Sequence, residues 1–383
     1  MMKRVVFGLI GAGGIAQSQH LPNLARAPHA FLKTLCDVRE DVLGQMRQKY
    51  AVPHATTDYR SLLADPEIDA VVVATREDAQ APLTIEALRT GKHVYVEKPL
   101  AETSAACADV VAAQRDSGRF VAVGFNRRFA PAYRKAKEIV VAGGGAWNVH
   151  YRISDEYWRW GKGYPPGVRV IHEVCHLFDL LRWLTGSEVE SVYCVASRPD
   201  DEAIVLRFRS GCVATIMSSG YATMDLPKER LEIITEKGAV TVEDFVELRT
   251  FGFADREPVL RFAGHTHPDR ELTHKYLLEA EGAAALYALR RTGWRLREAV
   301  ENGAAPDDQA ARYLNDRAPH WNYMMDKGWL AAIDHFAERI LANEAPENAG
   351  AEDGLRASLL CHAAIRSRDS GTVVVMNGES DGE

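Results

Sequence analysis

Cysteine pairs are missing from this sequence. Its six cysteines, Cys36, Cys107, Cys175, Cys194, Cys212 and Cys361, are scattered, and none forms a C-x-x-C. That argues against a disulfide framework and for free thiols in a reducing compartment, so a cytoplasmic location is expected. Basic charge is not in excess either: 46 Lys and Arg face 53 Asp and Glu, a net charge of −7. Nucleic-acid binding needs a basic face that neutralises phosphates, so no nucleic acid is expected as a partner. No apolar run approaches the roughly 20 residues of a membrane helix, and no membrane partner is expected. The stretch VVFGLIGAGGIA after Lys3-Arg4 has the outline of a signal peptide, but it is short and its glycines have a better explanation. Repeats and low-complexity segments are also lacking. What remains is a 383-residue chain, 46% apolar, long enough for two or three domains with a sizeable core.

The first 125 residues alternate between two patterns. Val-rich apolar runs at Val5–Ile10, Phe31–Cys36, Ala70–Ala74, Val94–Val96 and Phe120–Val123 read as strands buried on both faces. Helical patterns at Gly14–Ala27, Arg39–Tyr50, Ala81–Thr90 and Ser104–Ser117 lie between them, with Asp58 and Thr103 as helix-start signals. This predicts an α/β fold beginning with a doubly wound parallel sheet over residues 1–125. Residues 126–383 read as a second α/β domain. It begins with a helix over Pro131–Val141, the strand Trp147–Ile153 and the helix Val170–Thr185. Strands then follow over 189–250, joined by turns at Ser210-Gly211 and Lys237-Gly238, in a mostly antiparallel sheet. Helices are expected again over Leu272–Arg291, Tyr323–Asn343 and Gly354–Arg368. The pair His265 and His267 reads as solvated, and the last dozen residues as a frayed tail.

The first strand runs into Gly11-Ala12-Gly13-Gly14-Ile15-Ala16, a G-x-G-x-x-A motif. Gly11 permits a tight turn, Gly13 lets backbone approach a pyrophosphate, and the helix opening at Gly14 and Ile15 offers amides to phosphate. Asp37 closes the second strand 21 residues after Ala16, where a carboxylate binds an adenosine ribose diol. The pattern predicts NAD. Arg39 is close enough to accept a 2′-phosphate, so NADP stays open. The strand His93–Val96 ends in Glu97-Lys98-Pro99, and ligands lie beyond such strand ends, so Glu97 and Lys98 are expected to face the cofactor. Beside a nicotinamide, Lys98 is expected to have a lowered pKa and to join in proton transfer. Asn126 and Arg127 should look into the same crevice, with Arg128 turned outward or in an ion pair.

The segments GAGGIA, VVVAT at 71–75, GKHVYVEKPLA at 91–101, VGFNRRFAP at 123–131 and HLFDLLRWLTG at 176–186 together resemble the glucose–fructose oxidoreductase, inositol dehydrogenase and rhizopine-catabolism (Gfo/Idh/MocA) family. The resemblance implies a Rossmann domain followed by a domain with an open sheet through which many members form homodimers or homotetramers. It also implies cofactor contacts from Ala74 and Thr75, and a histidine acid/base at His176. The family's Asp-x-x-x-His reads His172-Glu173-Val174-Cys175-His176 here, so Glu173 or His172 is expected to orient His176 in place of the aspartate. The family's Thr-Pro-Asn-x-x-His reads Thr75-Arg76-Glu77-Asp78-Ala79-Gln80.

His172 to His176 also matches the H-E-x-x-H zinc pattern, but a dinucleotide domain has no use in a protease, and no metal is expected. The loop from Asp155 to Pro166 interleaves Tyr157, Trp158 and Tyr164 with charges, which suits a sugar or cyclitol substrate, with His172 close by. The expected activity is hydride transfer between NAD and a hydroxyl carbon of a sugar, sugar derivative or cyclitol. The alternative within the fold is redox-neutral glycoside cleavage, with NAD recycled at the site. A non-catalytic NAD sensor would have no need of Lys98 and His176.

Overall fold

The computed structural model describes residues 3–223, 225–264, 273–304 and 325–376. His265 and His267, and the tail after Met376, lie outside them. The amino-terminal sheet has six parallel strands: β1 (Val5–Ile10), β2 (Ala30–Cys36), β3 (His54–Thr56), β4 (Ala70–Val73), β5 (His93–Val96) and β6 (Val121–Val123). Their order is β3-β2-β1-β4-β5-β6, so strand order reverses between β1 and β4, where such sheets take their ligands. Every residue of β4, β5 and β6 is buried, as the unbroken apolar runs require. The strand β3 escapes the hydrophobic pattern because its short sequence, His-Ala-Thr, lies on the sheet edge with two of its three residues exposed.

A second sheet has nine strands: β7 (Ala146–Ser154), β8 (Val189–Arg198), β9 (Asp201–Phe208), β10 (Val213–Ser219), β11 (Glu229–Thr235), β12 (Ala239–Glu243), β13 (Glu247–Phe251), β14 (Val259–Arg261) and β15 (Val374–Val375). The order is β14-β13-β12-β11-β7-β10-β9-β8-β15, and only β7 and β10 pair in parallel. One face packs on the helices Pro131–Ala142 and Ala351–Ser370. The other leaves Tyr193, Val195, Val205, Met217, Ile234 and Phe251 exposed.

Four helices depart from the pattern reading, in three ways. Gly282, at φ +65°, splits the expected 272–291 helix into Thr273–Glu281 and Ala283–Glu301; Leu272 itself lies outside the described residues. Of the helix expected over Tyr323–Asn343, Tyr323 and Met324 lie outside the described residues, and the described helix starts at Trp329, after Gly328 turns left-handed at φ +85°. That helix, Trp329–Ala342, returns to the first sheet, where Ala332, Ile333, Phe336 and Ala337 join Val5, Phe7 and Leu9 in one core. The third departure recurs at both ends of the cleft. Residues 14–24 and 169–185 each form one helix with a π-wound turn, at Ala16–His20 and Val170–Val174. Such turns concentrate at functional sites.

Candidate active site

Gly11 ends β1 at φ +96°, and a Cβ there would stand 2.3 Å from the Ala74 carbonyl oxygen, so only glycine lets the ends of β1 and β4 meet. At Gly13 and Gly14 a Cβ would meet nothing within 4 Å. This is an open hollow before a helix N-terminus, the shape a pyrophosphate needs. Asp37 accepts a hydrogen bond from the Ala12 amide at 2.7 Å and holds Arg39 through its backbone N at 3.0 Å and Nε at 3.1 Å. Burial raises the Asp37 pKa, but these bonds outweigh it and hold the carboxyl below its usual range. The glycine hollow, the helix end and an ionised Asp37 together fit NAD.

Beyond the ends of β4 and β5 lies a cleft of about 220 Å³. Its amino-terminal wall carries Ile15, Thr75, Glu77, Gln80, Glu97 and Lys98; its other wall carries Asn126, Arg127, Glu173, His176, Lys228, Lys327 and Trp329. Glu97 is fixed by His20 Nε2 at 2.7 Å, and Gly124 leaves it room, since a Cβ there would come 3.0 Å from Glu97 Oε2. The Lys98–Pro99 peptide is cis, and Lys98 Nζ donates to the His172 carbonyl at 2.6 Å, tying the two walls together.

Several expectations are corrected by this geometry. The chain's own groups shift the Lys98 pKa up: burial lowers it, but Glu173, Cys175 and Glu97 nearby prevail, and the expected lowering belongs to a bound nicotinamide. Glu173 does not orient His176. Its carboxylate takes Lys228 Nζ at 3.0 Å, because the π turn disturbs the α-helical spacing that would stack positions three apart. His172 does not orient it either: its Nδ1 meets the Tyr157 hydroxyl at 3.1 Å, and its ring packs 4.2 Å from that of Tyr164. Tyr164 also reaches Glu77 across the cleft at 3.4 Å. Trp158 is not brought to the cleft. The short helix Tyr157–Trp160 turns Tyr157 inward and leaves Trp158 on the surface against Arg159. Arg128 forms a buried ion pair with Asp179, one of the two placements expected for it. Among the described residues no group of three or more His, Cys, Asp or Glu could hold a metal.

The wall that carries Arg127, Lys228 and Lys327 is cationic. His176 is pushed well below its ordinary pKa by burial and then by Arg127 and Lys98, so its imidazole is neutral at physiological pH. Arg127 is held bidentately by Glu229, at 2.9 and 2.7 Å, and Glu229 also accepts the Tyr151 hydroxyl at 2.7 Å. Three buried polar atoms on the wall, His176 Nδ1, Asn126 Oδ1 and Gln80 Oε1, have no hydrogen-bond partner among the described residues. Each such atom costs about 1–3 kcal/mol, so the wall suits a polyhydroxylated ligand. Sequence reasoning missed Lys228, Lys327, Glu229 and Trp329. Their one local signal is two lysines directly before regular elements, Lys228 at β11 and Lys327 at the last-but-one helix, too common a pattern to single out.

A Rossmann sheet whose phosphate loop opens on a histidine-bearing cleft defines a dinucleotide-dependent oxidoreductase. The match to known proteins is consistent with this. Residues 5–125 match the "Oxidoreductase family, NAD-binding Rossmann fold" model and residues 134–241 the "GFO/IDH/MocA C-terminal domain". The chain belongs to the Gfo/Idh/MocA family of NAD-binding oxidoreductases. It is 30% identical to the oxidoreductase YrbE of Bacillus subtilis over 67% of this chain and 80% of that one. It is 31% identical to the myo-inositol 2-dehydrogenase of Thermotoga maritima over 63% and 75%. Among solved structures, scyllo-inositol dehydrogenase of Lactobacillus casei with NAD(H) and scyllo-inositol shares the fold at TM-score 0.71 and 19% identity, over 97% of this chain and 99% of that one.

Proposed function

We propose that this protein is an NAD-dependent dehydrogenase of a cyclitol or sugar hydroxyl. The observation that carries this reading is a neutral His176 and a charged Lys98 on one cleft at the ligand-binding edge of the Rossmann sheet. Gly11, Gly13, Gly14, Ile15, Ala74, Thr75, Glu97 and Asn126 cradle the cofactor, with Asp37 on its ribose. When bound, NAD supplies the hydride acceptor. Lys98, held charged, donates a hydrogen bond to the reacting oxygen and favours its deprotonation; His176 accepts the proton. Arg127, fixed by Glu229, reads a neighbouring hydroxyl, while Tyr164 and His172 pack edge to face beside the cleft and reach it through Glu77. Inositol dehydrogenases recur among the relatives, which supports net oxidation and does not favour redox-neutral glycoside cleavage. The exposed apolar row on the second sheet supports a homodimer or homotetramer. Six buried free thiols fit a cytoplasmic setting.

The test is NADH absorbance after mixing protein and NAD with inositols, free sugars and aryl glycosides. Sustained NADH from a polyol is expected. Phenol release from aryl glycosides without net NADH would overturn the reading.

A further inference from the structure

Lys327 has no role in the reading above, yet it stands on the wall of the same cleft as His176 and Lys98. Its side chain is only 5% exposed. Nζ lies 3.5 Å from Glu229 Oε1 and 4.9 Å from the centre of the Phe245 ring. The backbone there is pinned. Asn126 Nδ2 donates to the Lys327 carbonyl at 2.7 Å, and a Cβ on Gly328 would fall within 2.6 Å of Asn126, Phe129 and Ala130 backbone atoms. The short segment that carries Arg127 therefore fixes where Lys327 stands. A buried amine placed this firmly in a reaction cleft is available for chemistry there.

We propose that Lys327 is a further catalytic residue, the group on which the proton released from the substrate hydroxyl comes to rest. This rests on the dehydrogenase reading. In the oxidation, the C–H hydride goes to bound NAD and the O–H electron pair becomes the second carbon–oxygen bond. The proton that His176 accepts ends on the Lys327 amine, which lines the same cleft and becomes an ammonium; reduction returns it. The charges around the two groups give the transfer its direction. His176 is lowered by burial, then by Arg127, Lys98 and Lys228 against the opposing Glu173, and is too weak a base to keep a proton. Lys327 is lowered by burial, supported by Glu229 and Asp244, and opposed by Lys228 and Arg127, and it settles at about 7. A proton acceptor is most effective when its pKa lies near the working pH.

The experiment compares wild type, Lys327→Met and Lys327→Arg in NADH formation from a polyol, over about pH 5 to about pH 10. Wild-type kcat/KM should climb through a midpoint near 7. Both variants should lose that limb and about 10²-fold in rate. Arginine keeps the positive charge beside Glu229 but cannot give up its proton, so full rescue by Lys327→Arg would mark a structural charge and overturn the proposal. A second readout needs neither cofactor nor substrate: reductive ¹³C-methylation of the lysines, followed by a pH titration of the dimethylamine signals. One signal should titrate near 7 and be absent from Lys327→Met. If the signal lost in that variant titrates near the ordinary lysine value of about 10, the proposal is overturned while the dehydrogenase reading stands. If wild type forms no NADH from any polyol, the dehydrogenase reading fails and the proposal fails with it.

Discussion

Replacing Glu229 with Gln keeps the side chain's shape and removes its charge. In the folded protein that carboxylate is fully buried, accepts both arms of Arg127 and the Tyr151 hydroxyl, and lies 3.5 Å from Lys327 Nζ. The variant leaves the Arg127 guanidinium buried without its counter-charge, a type of loss that costs about 3–5 kcal/mol. A second route gives a similar figure. Burial raises the Glu229 pKa, but Arg127 and Lys327 prevail and hold it down to about 2, against an ordinary 4.5. That difference corresponds to about 3 kcal/mol favouring the folded state. Because the folded pKa is the lower one, this stabilisation is complete above pH 4.5 and disappears as pH falls toward 2. The assay is thermal and urea unfolding of both proteins at neutral and acid pH. At pH 7 the variant should melt roughly 4–6 °C lower, with the gap closing in acid. A gap of about 2 °C or less at pH 7, or one equally wide in acid, would refute the charge argument.

Four further outcomes follow from the same geometry. Replacing His176 with Asn should cut turnover by about 10²-fold or more while NAD affinity, measured by fluorescence quenching, stays near wild type. Gly13→Val should fold with an unchanged melting temperature, since nothing in the chain fills that space, yet lose NAD binding. Gly11→Ala, placed against the Ala74 carbonyl in a left-handed conformation, should lose about 1–3 kcal/mol of stability as well. Asp37→Ser removes the carboxylate that engages Arg39, so the ratio of kcat/KM for NADP to that for NAD should rise.

The parts of the site that sit next to one another in sequence were legible there. The glycine loop, Asp37 and Glu97-Lys98 occupy ends of strands whose apolar runs announce themselves, and a doubly wound sheet places those ends together. The second sheet was legible for the same reason, with alternating apolar positions and Gly turns. The opposite wall was not. Lys228, Glu229 and Lys327 are polar residues at element starts, and only the tertiary fold brings them to Arg127. The partner of Glu173 was misjudged because periodicity assumes a uniform helix, and a π turn leaves no mark in an apolar pattern. Trp158 failed for a local reason: within one turn of helix adjacent side chains diverge, so a run of aromatics cannot all serve one pocket.

The helix Trp329–Ala342 has a consequence for how the molecule is made. Its apolar face completes one side of the first sheet, and the residues just ahead of it and at its start, Lys327 and Trp329, complete the cleft. A nascent chain that has only emitted the nucleotide-binding strands therefore still shows water the face that Ile333 and Phe336 will cover. Synthesis from the ribosome cannot finish the first half before the second, and the cofactor pocket matures only after residue 342 has emerged.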